Sequence, residues 1–523
     1  MKSQTSLYFI VIGTFLLLIS GNFLSEGLSR VGMDNAVVAQ RMSEGFEDFW
    51  MPSLNTPGEP DRLNYLPLGY WIESQWYSLF GNASFQAEKV YSVLTYFIIA
   101  FLMIWLWRLI GQSGRTGWLP LLCWITIPIV SWSATNNLLE STMTIFILLS
   151  VCFLVKAGTA SFVAHSRLAL GKSAGGYRLS RTAWIVLAAV MMELAFMIKG
   201  FGGLFPIFFP VLYWLMVRRE RPLFPLFTTG VILAVWMVTL FVAVILSPEV
   251  YHHLYDYLHH QMIGGVLHVK TVASHFYILY ALLVQGIIPL SILVVLCLIR
   301  LKNRPFYRFM FYWKYKEQLT ADQLNRSKQG WFFMAMGFAG ILPIMLGLKQ
   351  QEFYIVPTLP FFAIAMSCLM YDLLEDWLLR MDRVAQRVLM VLACIVFGAG
   401  LLLNLNSIHR TSQHQELLSD MRYILPCLEE GEQVCATHEV LEMPEVAEYF
   451  YRYKEVVFSA EQGKHLLTLN GQQQRLGPNE DYLRMELPTA RYKLYEYAPL
   501  EEEEEPLADT LDFYTFDEEF DEI

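Results

Sequence analysis

The chain has 523 residues, of which 55% are hydrophobic, 15% aromatic and only 16% charged. Soluble globular proteins carry about 25% charged residues, so this composition excludes an ordinary soluble protein and favours a polytopic membrane protein. The formal net charge is −10, but residues 501–523 alone hold twelve acidic residues and no Lys or Arg. We therefore expect 501–523 to be a solvated acidic tail, and we expect no nucleic-acid partner.

Apolar runs that approach the roughly 20 residues needed to cross a bilayer recur along the first 405 residues. The first follows Lys2 and has no convincing cleavage site after it, which favours a membrane helix over a signal peptide. Two other runs are short and separated only by Lys199-Gly200. The sequence predicts about eleven membrane helices, near residues 7–24, 89–110, 118–134, 138–156, 183–198, 201–217, 223–247, 275–300, 330–348, 354–371 and 388–405.

The distribution of Lys and Arg predicts the orientation of these helices. With the N-terminus in the cytoplasm, the inner segments hold 22 Lys and Arg, and the outer loops before residue 406 hold seven. Positively charged loops stay in the cytoplasm. We therefore predict a transmembrane domain over 1–405, an extracytoplasmic domain over 406–500 and the acidic tail over 501–523.

The first outer loop, predicted over 25–88, is rich in aromatic residues and proline. It includes Phe49-Trp50-Met51-Pro52 and a second aromatic run that begins at Asn64 and ends at Trp71. The loop is too polar to span a bilayer, and aromatic rings favour the headgroup level. We expect interfacial helices here that form half of an active site.

The segment 406–500 alternates polar and apolar residues. Short β-like runs at Gln433–Thr437 and Glu455–Phe458 flank a helical stretch around Pro444–Tyr453, which predicts a small α/β domain. Cys427 and Cys435 lie in this segment, and they could form a disulfide if the domain lies outside the cytosol.

Unusual polar residues collect on the predicted outer side of the membrane. Asp34 and Arg41 lie in the first loop, Asn137 and Glu140 in the second, and Lys199 in the third. The fourth loop, Tyr251–Lys270, holds several histidines, including His268, and the fifth begins at Lys349.

The histidine-rich fourth loop and an acidic residue inside a predicted span, Glu193, both have simpler interpretations than a role in catalysis. His252, Asp256 and His259 would share one helix face, which we interpret as an amphipathic interfacial helix in preference to a metal site. Glu193 lies within a predicted span, where an acidic residue either pairs with a neighbour or faces a cavity.

Four sequence elements together resemble the polyprenyl-phosphate-sugar-dependent glycosyltransferases of the GT-C fold, including the protein O-mannosyltransferases and the aminoarabinose transferases. They are Asp34-Asn35 after the first span; Tyr65-Leu66-Pro67-Leu68-Gly69-Tyr70-Trp71 with Phe80-Gly81; Met197-Ile198-Lys199-Gly200 with Pro206; and Lys349 to Tyr354 with Pro357 and Pro360. The order of these elements and the eleven-span layout cover about residues 7–405.

The resemblance implies roles for several residues. Asp34 would be the catalytic base, and Glu140 would be the second acid of the site. Arg41, Lys199, Lys349 and Tyr354 would bind the donor phosphate. The cavity for donor and acceptor would be lined by Asn35, Tyr65, Tyr70, Trp71, Asn137, Glu193 and His268. In this sequence Asn35, Val37 and Tyr65 replace an acid, an arginine and a lysine of the family pattern, and Arg41 would substitute for the missing cations.

The function implied is an inverting transfer of a sugar from a polyprenyl phosphate to a glycolipid, glycan or protein acceptor. No cofactor is required, although a divalent metal is possible. The resemblance implies a bacterial inner (plasma) membrane as the location. Two alternatives remain open at this point: an oligosaccharide transferase of the same fold, and a transporter or flippase of lipid-linked sugars, which would need no acid at Asp34.

Overall fold

The computed structural model describes residues 2–46, 48–50, 52, 66–81, 86–169, 180–217, 223–265, 269–300, 312–315, 317, 319–379, 382–408, 410–461, 463–471 and 482–498. Tyr65, His268 and the acidic tail, for which we made predictions, lie outside these residues. The described part is mostly helical, with one small sheet near its C-terminal end.

The helices of the first 406 residues follow the apolar runs of the sequence. They are α1 (Lys2–Ile19), α2 (Arg30–Glu44), α3 (Leu68–Phe80), α4 (Ala87–Leu109), α5 (Trp118–Ile125), α6 (Pro128–Ala134), α7 (Leu139–Ala169), α8 (Arg181–Lys199), α9 (Phe209–Met216), α10 (Leu223–Leu246), α11 (Pro248–Asp256), α12 (Tyr277–Gln285), α13 (Ile287–Arg300), α14 (Tyr312–Tyr315), α15 (Ala321–Ile341), α16 (Leu359–Leu379) and α17 (Arg383–Asn406). Short 3₁₀ segments lie at Gly114–Thr116, Gly200–Phe208, Leu342–Leu346 and Glu352–Thr358, and a π-helical turn lies at Tyr257–Gly264.

Each of the eleven predicted runs is helical, but the exact number of spans is not confirmed. Within the described ranges, seven segments are long and apolar enough to cross a membrane by length and composition, and two bent pairs raise this number to nine. Residues 181–216 count as one segment, although two spans were predicted there. Helix α1 contributes only a shorter apolar stretch, Thr5–Ile19.

The predicted span 118–134 is sharply bent. Helices α5 and α6 meet at 88°, because Ile127 has an extended backbone and Pro128 begins the next helix. Proline cannot donate the backbone hydrogen bond that would continue α5, so the chain changes direction there. The bend directs Asn136 and Asn137 back towards the first loop, where Asn136 accepts a hydrogen bond from the backbone N–H of Ser29 at 2.8 Å.

The first and last helices of the membrane region pack against each other. A Cβ added at Gly13 would lie 2.7 Å from the backbone nitrogen of Phe397, and one added at Gly400 would lie 2.8 Å from the Cβ of Leu16. The Asn404 side chain donates a hydrogen bond to the carbonyl of Leu16 at 2.7 Å. Small residues at a helix interface allow this close approach.

The C-terminal part forms a five-stranded sheet with strand order β2-β1-β3-β5-β4. Its elements are α18 (Gln415–Ile424), β1 (Gln433–Ala436), α19 (His438–Leu441), α20 (Pro444–Lys454), β2 (Val457–Ser459), β3 (His465–Leu469), β4 (Tyr482–Arg484) and β5 (Tyr492–Tyr497). Strand β1 is parallel to β2 and β3, and β5 is antiparallel to β3 and β4. A small α/β fold over this segment is therefore confirmed.

The core of this α/β unit extends into the first loop. Leu28, Met33 and Val37 belong to the same buried cluster as Tyr449 and Phe450 of α20. Helix α2 is therefore held between the membrane helices and the C-terminal sheet. Cys427 and Cys435 are both free thiols.

Candidate active site

A cavity of about 220 Å³ lies where the first turn of α7, the end of α8 and the segment after α15 meet. Four residues predicted for the site, from three separate parts of the sequence, meet here: Glu140, Lys199, Lys349 and Tyr354. The remaining lining residues are Met143, Gly202, Tyr257, Met262, Gly265, Pro343, Ile344 and Gly347. We call this space the cationic cavity.

The Lys199 ammonium lies at the centre of this arrangement. Its Nζ is 2.5 Å from Oε1 of Glu140, and the side chains are only 13% and 2% exposed. The same ammonium lies over the rings of Phe353 and Tyr354, at 5.3 Å and 5.2 Å from their centroids. The second oxygen of Glu140, Oε2, is buried and has no hydrogen-bond partner among the described residues.

The chain positions Lys199 by ending α8 at that residue. Gly200 adopts φ +70°, a conformation that favours glycine. A Cβ at Gly200 would lie 1.7 Å from the hydroxyl oxygen of Tyr257, which lines the same cavity. That hydroxyl accepts a hydrogen bond from the backbone N–H of Phe201 at 3.2 Å. Glycine therefore both ends the helix and makes room for the cavity wall.

Lys349 is held by its neighbour Gln350, whose side chain is buried. Gln350 accepts a hydrogen bond from the backbone of Ile278 at 2.9 Å and donates to the carbonyls of His275 and Gly347. The Thr271 hydroxyl donates to the carbonyl of Gln350 at 2.9 Å. These bonds fix the loop that carries Lys349 at the cavity, next to the 3₁₀ turn that carries Tyr354.

A buried polar network holds Asn137, three residues before Glu140. Asn137, with φ +50°, donates a hydrogen bond to Glu73 at 2.6 Å, and Tyr77 donates to the same carboxyl at 2.6 Å. Asn35 donates to the carbonyl of Asn137 at 2.9 Å. Burial raises the pKa of Glu73 to about 7. Asn35 and Asn137 thus lie in a structural network beside the cavity and are not among the described residues that line it.

Glu73 was not predicted from the sequence. The available signal was the single charged residue of helix α3, four residues before a tyrosine that shares its face. Such an acid must find buried partners, which here are Tyr77 and Asn137.

Asp34 lies on another side of α2, against the C-terminal unit. Its carboxyl is hydrogen bonded to that of Glu448 in α20, with Arg30 and Glu445 nearby. Burial raises the pKa of both carboxyl groups, and the bond and charge of Asp34 raise that of Glu448 further. We infer that the pair retains a proton at neutral pH. Asp34 is not among the described residues that line the cationic cavity.

Arg41 also faces the C-terminal unit. Its guanidinium lies over the ring of Tyr451 at 5.2 Å, and it is not among the lining residues of the cationic cavity. Tyr70 is buried in the main helical core. Trp71 is 42% exposed and packs edge to face on Phe49, with 6.2 Å between the ring centroids. The described part of the chain therefore does not bring these three predicted site residues to the cavity.

Glu193 lines a second, more apolar cavity of about 170 Å³. The histidines from His252 to His260 lie on α11 and the following π-helical turn. Within the described ranges, no group of three or more His, Cys, Asp or Glu residues has the arrangement to hold a metal ion.

Comparisons with known proteins found a family match and solved structures with a similar fold. Residues 62–263 match the family described as dolichyl-phosphate-mannose-protein mannosyltransferase. The fold is similar to that of ArnT from Cupriavidus metallidurans bound to undecaprenyl phosphate, with a TM-score of 0.60 and 13% identity over 93% of this chain and 97% of that chain. The apo structure of the same protein gives a TM-score of 0.58 and 13% identity, and covers 93% and 96% of the two chains.

A weaker similarity links the chain to the oligosaccharyltransferase AglB from Archaeoglobus fulgidus. The identity is 10% over 89% of this chain and 69% of that chain, and the TM-score of 0.45 is too low to carry an argument. A comparison with curated proteins gave no match.

The family match and the shared fold confirm the resemblance inferred from the sequence motifs. They support a multi-pass membrane protein with the fold of lipid-phosphate-dependent glycosyltransferases. The chain therefore has the GT-C fold of polyprenyl-phosphate-sugar-dependent glycosyltransferases, and its residues 62–263 carry the similarity to the protein mannosyltransferase family.

Proposed function

We propose that the protein transfers a sugar from a polyprenyl-phosphate donor to an acceptor, with inversion at the anomeric carbon. The observation that carries the proposal is the convergence of Lys199, Lys349, Tyr354 and Glu140 on one cavity. Cations and a phenol hydroxyl stabilise the negative charge that develops on a leaving phosphate. The apolar helices around the cavity would hold the polyprenyl chain.

The reaction is a single displacement. A carboxylate removes the proton from the acceptor nucleophile, which attacks the anomeric carbon while the polyprenyl phosphate leaves towards Lys199 and Lys349. We assign the role of base to Asp34 from the motif resemblance, and burial, which raises the pKa of this carboxyl, would make its ionised form a stronger base. Glu140 orients the Lys199 ammonium through their ion pair.

The mechanism requires no cofactor. The bias of Lys and Arg towards the inner loops supports a reaction on the extracytoplasmic face, where nucleotide sugars are scarce. A bacterial inner membrane fits a polyprenyl-phosphate donor.

The test is sugar transfer by the purified protein in lipid, with a panel of polyprenyl-phosphate sugars and release of free polyprenyl phosphate as the readout. Wild type should release it, whereas Asp34→Asn should lose at least about a hundredfold in rate, as expected for removal of a general base. Glu140→Gln should weaken donor binding more than it slows turnover. Full activity of Asp34→Asn together with an inactive Glu140→Gln would transfer the role of base to Glu140.

No release by folded wild-type protein with any donor would contradict the proposed function. Movement of labelled donor lipid across the bilayer without a new glycosidic bond would then indicate a transporter. Folding is checked by the unfolding temperature, which should be similar for wild type and both variants.

A further inference from the structure

The cavity around Glu193 has a chemical character opposite to that of the cationic cavity. Its walls are mainly apolar side chains from α8, α10 and α11, among them Met197, Leu240 and Leu254. The polar side chains that line it are Glu193, Thr239 and His253. A negatively chargeable group in an apolar pocket does not suit a phosphate, because two anions repel each other in a low-dielectric site.

Glu193 has an oxygen that the protein does not satisfy. The side chain is 9% exposed, and its carboxyl is hydrogen bonded to Thr239. The other oxygen, Oε2, is buried and has no partner among the described residues. A buried polar atom left without a partner destabilises the protein, and more so when it is charged. A bound hydroxyl would satisfy it, since a hydroxyl can both donate and accept.

One small cluster of side chains contributes to the walls of both cavities. Leu66, Phe196 and Tyr257 form a small buried cluster, in which the rings of Phe196 and Tyr257 are 6.3 Å apart. Tyr257 faces the cationic cavity, and Leu66 faces the cavity of Glu193. Glu193 and Lys199 are both on α8, six residues and therefore about 9 Å apart along its axis. A ligand in each cavity would bring two headgroups to neighbouring positions.

The cavity of Glu193 borders a helix that faces lipid. Only 6% of the most apolar stretch of α10 is buried inside the protein. Phe241, Val242 and Ile245, which lie next to the lining residue Ala243, are exposed. An apolar surface of this kind on a membrane helix contacts acyl chains. A ligand can therefore enter from the bilayer with its apolar body still in lipid.

We propose that this cavity holds the hydroxyl-bearing headgroup of a membrane lipid, a glycolipid-type acceptor, with Glu193 as its hydrogen-bonding partner. The term acceptor rests on the proposed function. The binding site itself does not, and its test needs no transfer.

The experiment is photolabelling of the full-length protein in lipid nanodiscs with a dodecyl β-glucoside that carries a diazirine on its alkyl chain. The control probe is the same molecule with every hydroxyl methylated. Labelled peptides are mapped by mass spectrometry. The glucoside should label the peptides around Met197 and Leu254 at least about tenfold more than the methylated probe, the factor expected for one hydrogen bond to a charged group.

Two variants make the test specific. Glu193→Leu, an apolar replacement that suits a membrane helix, should reduce labelling by about tenfold. Lys349→Gln, which alters the cationic cavity, should leave labelling within twofold of wild type. An excess of farnesyl phosphate should also leave it unchanged, because a phosphate should bind the cationic cavity.

Four results would overturn the proposal. Equal labelling by the methylated probe would show general lipid contact, and competition by farnesyl phosphate would assign the cavity to the donor. Unchanged labelling of Glu193→Leu would remove Glu193 from the site. Labelling of the same peptides by a diazirine-bearing Ser/Thr peptide, but not by the glucoside, would indicate a protein acceptor. Because the readout is binding, failure of sugar transfer leaves this test intact.

Discussion

Arg452 of α20 forms an ion pair with Glu88 in the first turn of α4, with Nη2 and Oε2 3.1 Å apart and the side chains only 2% and 0% exposed. The guanidinium also donates to the Gln40 side chain of α2 at 3.2 Å and lies over the Tyr77 ring of α3 at 5.1 Å. One side chain of the C-terminal unit thus connects three helices of the remaining chain.

Removal of one partner of this pair should destabilise the protein strongly. Glu88→Gln leaves the buried guanidinium without its counter-charge, and breaking such a pair costs about 3–5 kcal/mol. The measurement is the unfolding temperature of the purified protein. Glu26→Gln is the control, because its pair with Arg422 at 2.7 Å also joins the two parts but is partly exposed. It should cost less than about 1 kcal/mol, and equal effects would contradict the importance of burial.

Lys349→Gln should weaken donor binding. A charge-assisted hydrogen bond to a phosphate is worth about 1.5–3 kcal/mol, so KM for the lipid donor should rise roughly tenfold to a hundredfold. Lys270→Gln is the matched control, since Lys270 lies in the preceding loop and is exposed. Steady-state kinetics over a range of donor concentrations checks both variants. An unchanged KM for Lys349→Gln would exclude Lys349 from phosphate binding.

Gly200→Ala should damage the cationic cavity, whereas Gly202→Ala should not. At Gly200 the new Cβ would collide with Tyr257 and the residue would keep a positive φ, at a cost of about 2 kcal/mol or more. At Gly202 the nearest atom is the Met143 Cε at 3.7 Å, an ordinary contact. Unfolding temperature and donor binding should both fall for the first variant alone. Equal behaviour of the two variants would contradict this account of Gly200.

Glu73 should make stability depend on pH. Burial raises its folded-state pKa from 4.5 to about 7. Between pH 4.5 and about 7, the folded protein therefore keeps a proton on Glu73 that the unfolded chain has released. This contribution is complete below about pH 4.5 and is lost as pH rises through about 7. Its size is on the order of 3 kcal/mol. The unfolding temperature, measured across this range, should fall less in Glu73→Gln than in wild type, and an identical slope would contradict the assignment.

The sequence was a good guide to elements that depend on local patterns. Apolar runs predicted every membrane helix of the described chain, and the strands around Gln433 and Phe458 follow from their β-like composition. Lys199 and Lys349 were expected near one another only through the resemblance, because no local pattern relates residues 150 positions apart.

The partners of Asp34 and Arg41 could not be predicted. Both lie on α2, and their interactions with Glu448 and Tyr451 depend on how a domain 400 residues later packs against that helix. The bend between α5 and α6 also divides one predicted span into two helices, since hydropathy measures apolar length and not direction. Glu73 was missed because burial of its carboxyl depends on a tertiary partner, Asn137, whereas Tyr77 on the same helix gave only a weak local signal.

The contact between Gly13 on α1 and the Phe397 backbone on α17 has a consequence for biosynthesis. The hydrogen bond from Asn404 to Leu16 joins residues 388 positions apart in the chain. A ribosome therefore completes nearly all the other spans before α1 can meet its partner. Until then the face of α1 around Gly13 lacks its partner helix. The packing of α1 against α17 is therefore a late step of folding that joins distant parts of the chain.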